Sequence, residues 1–182
     1  MDKYSWIDIG SSYLPSDLLA AFLYAQLEAR QTIQKKREAI WLRYHDELRD
    51  WSAENGVQQP FVPERAGNPY HLYYLLLPDA EQRNAFLQAM HDKGVMCVFH
   101  YLPLHLSQMG LRFGRKPARC PVTESVSERI VRLPFFTDMS EAEVDAVIAA
   151  VKSFRVPPRR RVIPAFSVSH IAARFAERLK CR

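Results

Sequence analysis

Residues 16–51 combine two hydrophobic patterns in a stretch that contains neither proline nor glycine. Between residues 18 and 27, apolar side chains occur on almost every side of the helical projection, which is typical of a helix buried nearly all round. From residue 31 onward the apolar positions narrow to one stripe, as in a helix that lies on a single surface. The stripe consists of Ile33, Ile40, Tyr44, Leu48 and Trp51. The first half of the helix is therefore expected to pack against protein outside this chain.

Both ends of this stretch carry helix signals. Ser16 is a good N-cap residue that follows Pro15, and Asn55-Gly56 supplies the stop. At about 1.5 Å per residue, one helix over residues 16–51 would extend roughly 54 Å, about the width of a small domain or more. We therefore predict one long helix that a single small core cannot cover.

The rest of the chain alternates apolar runs with helical patterns. The run at 70–77 predicts a central strand buried on both faces, and the run at 95–99 predicts a second buried strand. A proline-flanked piece at 57–63 fits an edge strand or extended loop, and 133–136 fits a short strand. Helices are predicted at 80–93, 123–131 and 140–154. This order predicts an α+β fold, with a long helix plus a small antiparallel or mixed sheet and helices on one side.

Three regions of different composition divide the chain. Residues 1–15 read as a lead-in segment and loop, residues 16–154 as the long helix and folded domain, and residues 155–182 as a basic tail. The tail carries +7, so the total of +5 leaves −2 for the rest of the chain. The tail could bind nucleic acid or an anionic membrane surface. We favour a solvated extension, because three clustered arginines are weak evidence for either partner.

Several classes of protein are disfavoured by the sequence. No apolar run approaches the ~18 residues of a membrane span, and the N-terminus lacks a signal-peptide layout, so we expect a soluble, cytoplasmic protein with no membrane partner. Cys97, Cys120 and Cys181 form no CxxC pair, which disfavours disulfides and zinc. Glycine-rich phosphate loops, a GxSxG elbow and an HExxH helix are all absent.

The segment at residues 100–105, HYLPLH, has the highest density of chemically active side chains. Two imidazoles and a phenol on a proline-containing loop can orient the polar oxygens of a ligand or a phosphate. A metal site is disfavoured, because no carboxylate or thiolate with suitable spacing joins them. Judged from the residues alone, a loop whose histidines bond to the backbone is the favoured alternative.

Ser11, Ser12 and Tyr13 form a second candidate site, a hydroxyl-bearing loop beside a helix N-terminus. Free backbone N–H groups and the helix dipole both favour an anion such as phosphate there. Simple helix capping explains the same residues equally well.

Five sequence motifs resemble those of a known protein family. They are DKYSWIDIGSSYLPSDLLAAFLYAQLEA, NPYHLYYLLLPD, VFHYLPLH, SERIVRLPFF and DMSEAEVDAVIAAV. Together they resemble the C-terminal half of the DegT/DnrJ/EryC1/StrS sugar aminotransferases, over about residues 2–154. The resemblance implies the C-terminal domain of a fold type I, pyridoxal-phosphate-dependent transferase. Such an enzyme works as a homodimer and moves an amino group from glutamate to the 4-keto carbon of a nucleotide-linked sugar.

The resemblance also implies roles for individual residues. Ser12 takes the position where many members have an asparagine that reaches the cofactor phosphate of the neighbouring subunit, and Leu14 replaces a common arginine. His100, Tyr101 and His105 match the loop that lines the sugar-nucleotide pocket, where they position the substrate.

No catalytic residue is assigned, because the family's Schiff-base lysine precedes the part that this chain resembles. None of the seven lysines stands in the expected context. Without that lysine, transamination lacks both its base and its cofactor anchor. We therefore expect part of an enzyme that is inactive alone. The alternative is a noncatalytic remnant that dimerises through the long helix or binds an anionic polymer through its tail.

Overall fold

The structure is a computed structural model that describes residues 13–114 and 119–156. The predicted lead-in segment up to residue 12 and the basic tail from residue 157 lie outside the described residues. The elements in chain order are α1 (Asp17–Glu28), α2 (Arg30–Glu47), α3 (Arg49–Glu54), β1 (Tyr74–Leu76), α4 (Ala80–Asp92), β2 (Val98–Phe99), a 3₁₀ helix (Leu104–Leu106), α5 (Gln108–Phe113), α6 (Pro121–Arg129), β3 (Ile130–Arg132) and α7 (Glu141–Ser153).

The predicted long helix is divided into α1, α2 and α3. The breaks fall at Ala29 and Leu48, where ψ is −1° and 1°, less negative than in a regular α-helix. Ala29 still accepts a hydrogen bond from the N–H of Ile33 at 3.1 Å, so the helical path continues across the first break. The long helix therefore has the predicted extent, and only the two single-residue interruptions were not predicted, because neither contains the proline or glycine that would have signalled it.

The two ends of the helical stretch are as predicted. The Ser16 hydroxyl accepts a hydrogen bond from the N–H of Leu19 at 3.3 Å, which makes Ser16 the N-cap of α1. At the other end, the Asn55 side-chain amide donates to the carbonyl of Trp51 at 2.8 Å, and Gly56 adopts a φ of +64°. A positive φ suits glycine, so the chain turns away from the helix there.

Burial along these helices follows the two hydrophobic patterns. No residue of α1 is buried, and Leu18 and Phe22 are 82% and 68% exposed. In α2 and α3 most of the predicted stripe lies in the core, where Ile40, Tyr44, Leu48 and Trp51 are buried. The described residues thus leave the apolar first half of the helical stretch uncovered, as expected.

The three strands form one antiparallel sheet in the order β1-β3-β2. In the register of the sheet, Leu75 of β1 and Phe99 of β2 both lie opposite Val131 of β3. The predicted edge segment at 57–63 joins β1 only through Gln58, which exchanges two hydrogen bonds with Leu76 at 3.0 and 2.9 Å. This confirms an extended loop there and a fold of the α+β class with a small antiparallel sheet.

Strand details differ from the predictions in three ways. The run at 70–77 yields only Tyr74–Leu76, at an edge of the sheet, and burial alternates along it, so only one face is buried. β2 has two residues and both are exposed, because no described residue covers them. The strand predicted at 133–136 lies instead at Ile130–Arg132, where a helix was expected. Short apolar runs do not distinguish a helix end from a strand.

The remaining predicted helices are confirmed close to their expected bounds. Asp79 caps α4 and Gly94, with a φ of +73°, follows its end. Ser140 and Glu143 form a capping box at the start of α7. One apolar face of α7 is buried, and it consists of Val144, Val147, Ile148 and Val151. Among the described residues, no helix combines the length and apolarity that a bilayer span requires.

Long-range hydrogen bonds lock α7 and its flanks onto α2 and α3. The indole N–H of Trp51 donates to the carbonyl of Phe154 at 2.8 Å, and the Tyr44 hydroxyl donates to the carbonyl of Pro134 at 3.0 Å. Three exposed ion pairs, Lys36–Asp138, Arg43–Asp145 and Lys152–Glu47, join the same surfaces. Exposed ion pairs contribute little to stability. We therefore attribute most of the stability of this contact to apolar burial and to the two hydrogen bonds.

Candidate functional site

The candidate loop begins where β2 leaves the sheet. Phe99 is the last paired residue of β2, and His100 follows it directly. The segment after His100 contains the 3₁₀ helix and α5. The Ser107 hydroxyl caps α5 by accepting a hydrogen bond from the N–H of Gly110 at 3.0 Å. Two short helices therefore give this loop a defined shape.

His100 and Tyr101 lie together at the start of the loop. Their rings meet edge to face, with centroids 5.5 Å apart. Tyr101 is 79% exposed, whereas His100 is half-buried. The Nδ1 atom of His100 is buried and has no hydrogen-bond partner among the described residues. An exposed phenol beside a partly covered imidazole is suited to contacting a polar ligand.

His105 has a different neighbour, the carboxylate of Glu124. His105 Nε2 and Glu124 Oε1 are 2.8 Å apart, and the His105 side chain is only 14% exposed. The same oxygen accepts a hydrogen bond from the N–H of Cys120 at 3.0 Å. The hydrogen bond from His105 is the largest cause of the lowered pKa of Glu124, and the hydrogen bond from the N–H of Cys120 is the second largest. His105 therefore holds the 3₁₀ helix against the start of α6.

The structure brings His100 and Tyr101 into contact and pairs His105 with a residue that the sequence analysis did not select. Glu124 lies in the first turn of α6, where an acidic side chain is common for reasons of helix capping alone. Its partner is 19 residues away in the sequence. No local spacing rule joins positions so far apart, so the pairing had no sequence signal.

A second residue missed by the sequence analysis is Arg132 of β3. It lies opposite Tyr74 on one side and Val98 on the other. Its Nη2 atom donates a long hydrogen bond of 3.5 Å to the carbonyl of Phe99. Its Nε atom is buried and unpaired within the described part of the chain. Arg132 thus places a positive charge next to the residue from which the candidate loop starts.

The other candidate site, Ser12, lies outside the described residues. The description starts at Tyr13, which is exposed, as is Leu14. The predicted cofactor contact of Ser12 therefore stays a prediction.

Two further kinds of chemistry can be judged from the described residues. Burial raises the pKa of the Cys97 thiol to about 12, so this half-buried side chain stays protonated and is a poor nucleophile. Within the ranges described, no group of three or more histidine, cysteine, aspartate or glutamate side chains is arranged to hold a metal ion.

The lysines that the structure describes lack the burial expected of a Schiff-base lysine. A Schiff-base lysine normally lies in a cofactor pocket, where burial and neighbouring groups lower its pKa. The four lysines that the structure describes, Lys35, Lys36, Lys93 and Lys152, are all exposed. Lys36 pairs with Asp138 at 2.8 Å and Lys152 with Glu47 at 2.5 Å. None of these four lysines is therefore assigned as the Schiff-base lysine.

Comparison with known proteins agrees with the family resemblance found in the sequence. Residues 1–152 match the sequence model of the DegT/DnrJ/EryC1/StrS aminotransferase family. The spore coat polysaccharide biosynthesis protein SpsC from Bacillus subtilis is 30% identical over 141 residues, which are 75% of this chain and 36% of SpsC. The chain thus spans well under half the length of this relative.

Two solved structures are similar to this chain in fold, and in both the match covers well under half of the solved chain. A DegT/DnrJ/EryC1/StrS aminotransferase from Brucella abortus is 25% identical, with a TM-score of 0.69, and the match covers 86% of this chain and 40% of that one. A protein from Streptococcus pneumoniae described as a sugar aminotransferase, in its PLP form, is 25% identical with a TM-score of 0.66. That match covers 75% of this chain and 35% of the solved chain.

Proposed function

This chain belongs to the DegT/DnrJ/EryC1/StrS aminotransferase family, and from this premise we propose that it forms the C-terminal part of a pyridoxal-phosphate-dependent sugar aminotransferase. The observation that carries the proposal is the family match over residues 1–152. The whole enzyme would transfer an amino group from glutamate to the 4-keto carbon of a 4-keto-6-deoxy nucleotide sugar.

We propose a substrate of the dTDP-4-keto-6-deoxyglucose type. The five motifs quoted above together resemble those of transaminases that make dTDP-4-amino-4,6-dideoxygalactose. The name of SpsC, a polysaccharide biosynthesis protein, agrees with a product that enters surface polysaccharide such as lipopolysaccharide or common antigen.

The candidate loop would position the nucleotide sugar. Tyr101 offers an exposed phenol and His100 an adjacent imidazole. Nε2 of His105 is already bonded to Glu124, which leaves only its Nδ1 for a ligand. We therefore assign direct substrate contact first to His100 and Tyr101, and to His105 a contact through Nδ1 together with a role in holding the loop. Ser12 would reach the cofactor phosphate of a neighbouring subunit.

The exposed apolar surface of α1 would be covered in the whole enzyme. We name this surface the α1 patch, and it consists of Leu18, Leu19, Phe22, Leu23, Tyr24 and Leu27. Each of these six side chains is more than half exposed, and such a concentration of exposed apolar residues on one short helix is unusual in a monomeric soluble protein. The cofactor-bearing part of the enzyme and a second subunit are the proposed occupants, which supports a homodimer. The isolated chain would then be inactive.

Cofactor binding by the purified chain tests this proposal. Pyridoxal phosphate added to the chain should produce no stable absorbance at about 420 nm, the region expected for a protein-bound aldehyde cofactor. Borohydride followed by mass mapping of peptides should find no single lysine modified in full. A stable yellow complex reduced at one lysine would contradict the proposed dependence on another part of the enzyme.

Nucleotide binding tests the assignment of the loop. We expect dTDP to shift the backbone amide resonances of residues 99–105 in NMR spectra, because these residues would contact the nucleotide sugar. Tyr101→Ala should weaken the response, and Phe61→Ala, which removes another highly exposed aromatic ring outside the loop, should not. Unchanged loop resonances would contradict the assignment of this site.

A further inference from the structure

Two buried polar atoms at the junction of β2 and β3 have no hydrogen-bond partner among the described residues. They are Nε of Arg132 and Nδ1 of His100. Arg132 is joined to the carbonyl of Phe99, the residue directly before His100, so both atoms belong to one small region. Buried polar atoms in folded proteins nearly always have a partner. Other such atoms, for example Ser52 Oγ and Arg83 Nε, occur singly, whereas these two are linked through one short backbone segment. This adjacency indicates that the region is completed by a group from outside the described residues.

The guanidinium of Arg132 faces away from the protein core. Val131 and Leu133 on either side of it in β3 are buried in the core, and side chains alternate between the two faces of a strand. Val98 of β2 lies opposite Arg132 and is 38% exposed. The face of the sheet that carries Arg132 is therefore accessible beside β2. The missing group can therefore approach Arg132 from this open face.

The positive charge of Arg132 is not neutralised within the described part of the chain. The ion pairs found there involve other side chains, such as those of Arg43, Arg49 and Arg155. A guanidinium presents several N–H donors in a planar fork that matches carboxylate and phosphate oxygens. The missing group should therefore be an acceptor that carries negative charge.

We propose that Arg132, with His100 beside it, binds an oxyanion of a ligand of the enzyme. The proposal rests on the proposed function for the source of that oxyanion, which is either the diphosphate of the nucleotide sugar or a carboxylate of the amino-group donor. Arg132 would act as a positioning and specificity residue, because it holds the ligand next to Tyr101 without taking part in bond making.

NMR titration of the whole chain distinguishes these sources. The Nε–H resonance of Arg132 is followed while dTDP or glutarate is added, together with the backbone amides of residues 99–105. Arg132→Gln removes the charge, and Arg132→Lys keeps the charge but loses the fork. Arg129→Gln is the matched control, because Arg129 lies nearby but its Nε already donates to the carbonyl of Ser125 at 3.1 Å.

We expect dTDP to shift the Arg132 Nε–H resonance and Arg132→Gln to weaken dTDP binding about tenfold, the change expected for loss of a charge-assisted hydrogen bond. Arg132→Lys should weaken it less and Arg129→Gln hardly at all. If glutarate alone gives these effects, the oxyanion is the donor carboxylate. Loop shifts that are equal in the wild type and Arg132→Gln would overturn the role of Arg132 and leave the proposed function standing. Absence of loop shifts with either probe would overturn both the role of Arg132 and the assignment of the loop as the nucleotide-sugar site, and would leave the family assignment standing.

Discussion

His105 Nε2 and Glu124 Oε1 lie 2.8 Å apart and join two segments that are 19 residues apart in the sequence. An ionised carboxylate can only accept a hydrogen bond, so Nε2 of His105 must carry the proton. In a neutral imidazole this leaves Nδ1 as a hydrogen-bond acceptor. Because Glu124 also accepts the N–H of Cys120, one carboxylate fixes both the 3₁₀ helix and the start of α6. The candidate loop therefore depends on a residue outside it.

Replacement of Glu124 should loosen the loop without unfolding the protein. In Glu124→Ala we expect faster amide hydrogen exchange for Cys120 and for residues 104–106, because both hydrogen bonds to the carboxylate are lost. Exchange in the core strand β3 should change little. The matched control is Glu128→Ala on the same helix, whose side chain is exposed. Equal exchange in the two variants would show that the pair does not hold the loop.

The same pair predicts a pH dependence with a definite sign. The pKa of Glu124 is lowered in the folded protein, first by the hydrogen bond from His105. Its contribution to stability is therefore complete above the ordinary glutamate pKa and disappears as the pH falls through the lowered value. The difference in urea midpoint between the wild type and Glu124→Ala should thus be measurable at about pH 7 and smaller at about pH 3. A difference that grows at low pH would contradict this sign.

Removal of apolar side chains from the α1 patch should reduce self-association. Leu23 in the patch is 55% exposed, and Leu42 on α2, outside it, is 44% exposed. In sedimentation velocity we expect Leu23→Ser to shift the chain toward the monomer, because less apolar surface is buried between copies, whereas Leu42→Ser should not. Both substitutions should leave the unfolding free energy within about 0.5 kcal/mol, since exposed positions contribute little. A wild-type chain that is monomeric at all concentrations would exclude association through this patch.

Elements with strong local signals were predictable from the sequence. Ser16 caps the long helix as predicted, and Ser140 and Gly94 mark the ends of two further predicted helices through capping and positive φ. The exposure of the α1 patch also followed from its pattern, because a helix that is apolar on every side needs a partner on every side. These features depend on residues close together in the sequence.

Strand positions and site contacts were less predictable, because they depend on distant residues. β3 pairs with β1 and β2, and only this pairing distinguishes Ile130–Arg132 from the end of a helix. The sequence of β2 predicts a buried strand. Phe99 is nevertheless exposed, because none of the described residues covers it. Glu124 and Arg132 likewise gain their importance only when folding brings them to the candidate loop. A single sequence does not contain that proximity.

The hydrogen bond from Tyr44 to the carbonyl of Pro134 is a long-range contact whose energy can be measured directly. Burial raises the pKa of Tyr44, so its hydroxyl remains a donor at ordinary pH. Tyr44→Phe keeps the ring but leaves the carbonyl of Pro134 without this donor. We expect a loss of about 1–3 kcal/mol in the unfolding free energy from urea titration. Tyr101→Phe removes a hydroxyl from a highly exposed ring and should change stability by less than about 0.5 kcal/mol. Equal stabilities for the two variants would mean that water replaces the Tyr44 hydroxyl at Pro134, and that packing alone holds the segment before α7 against α2.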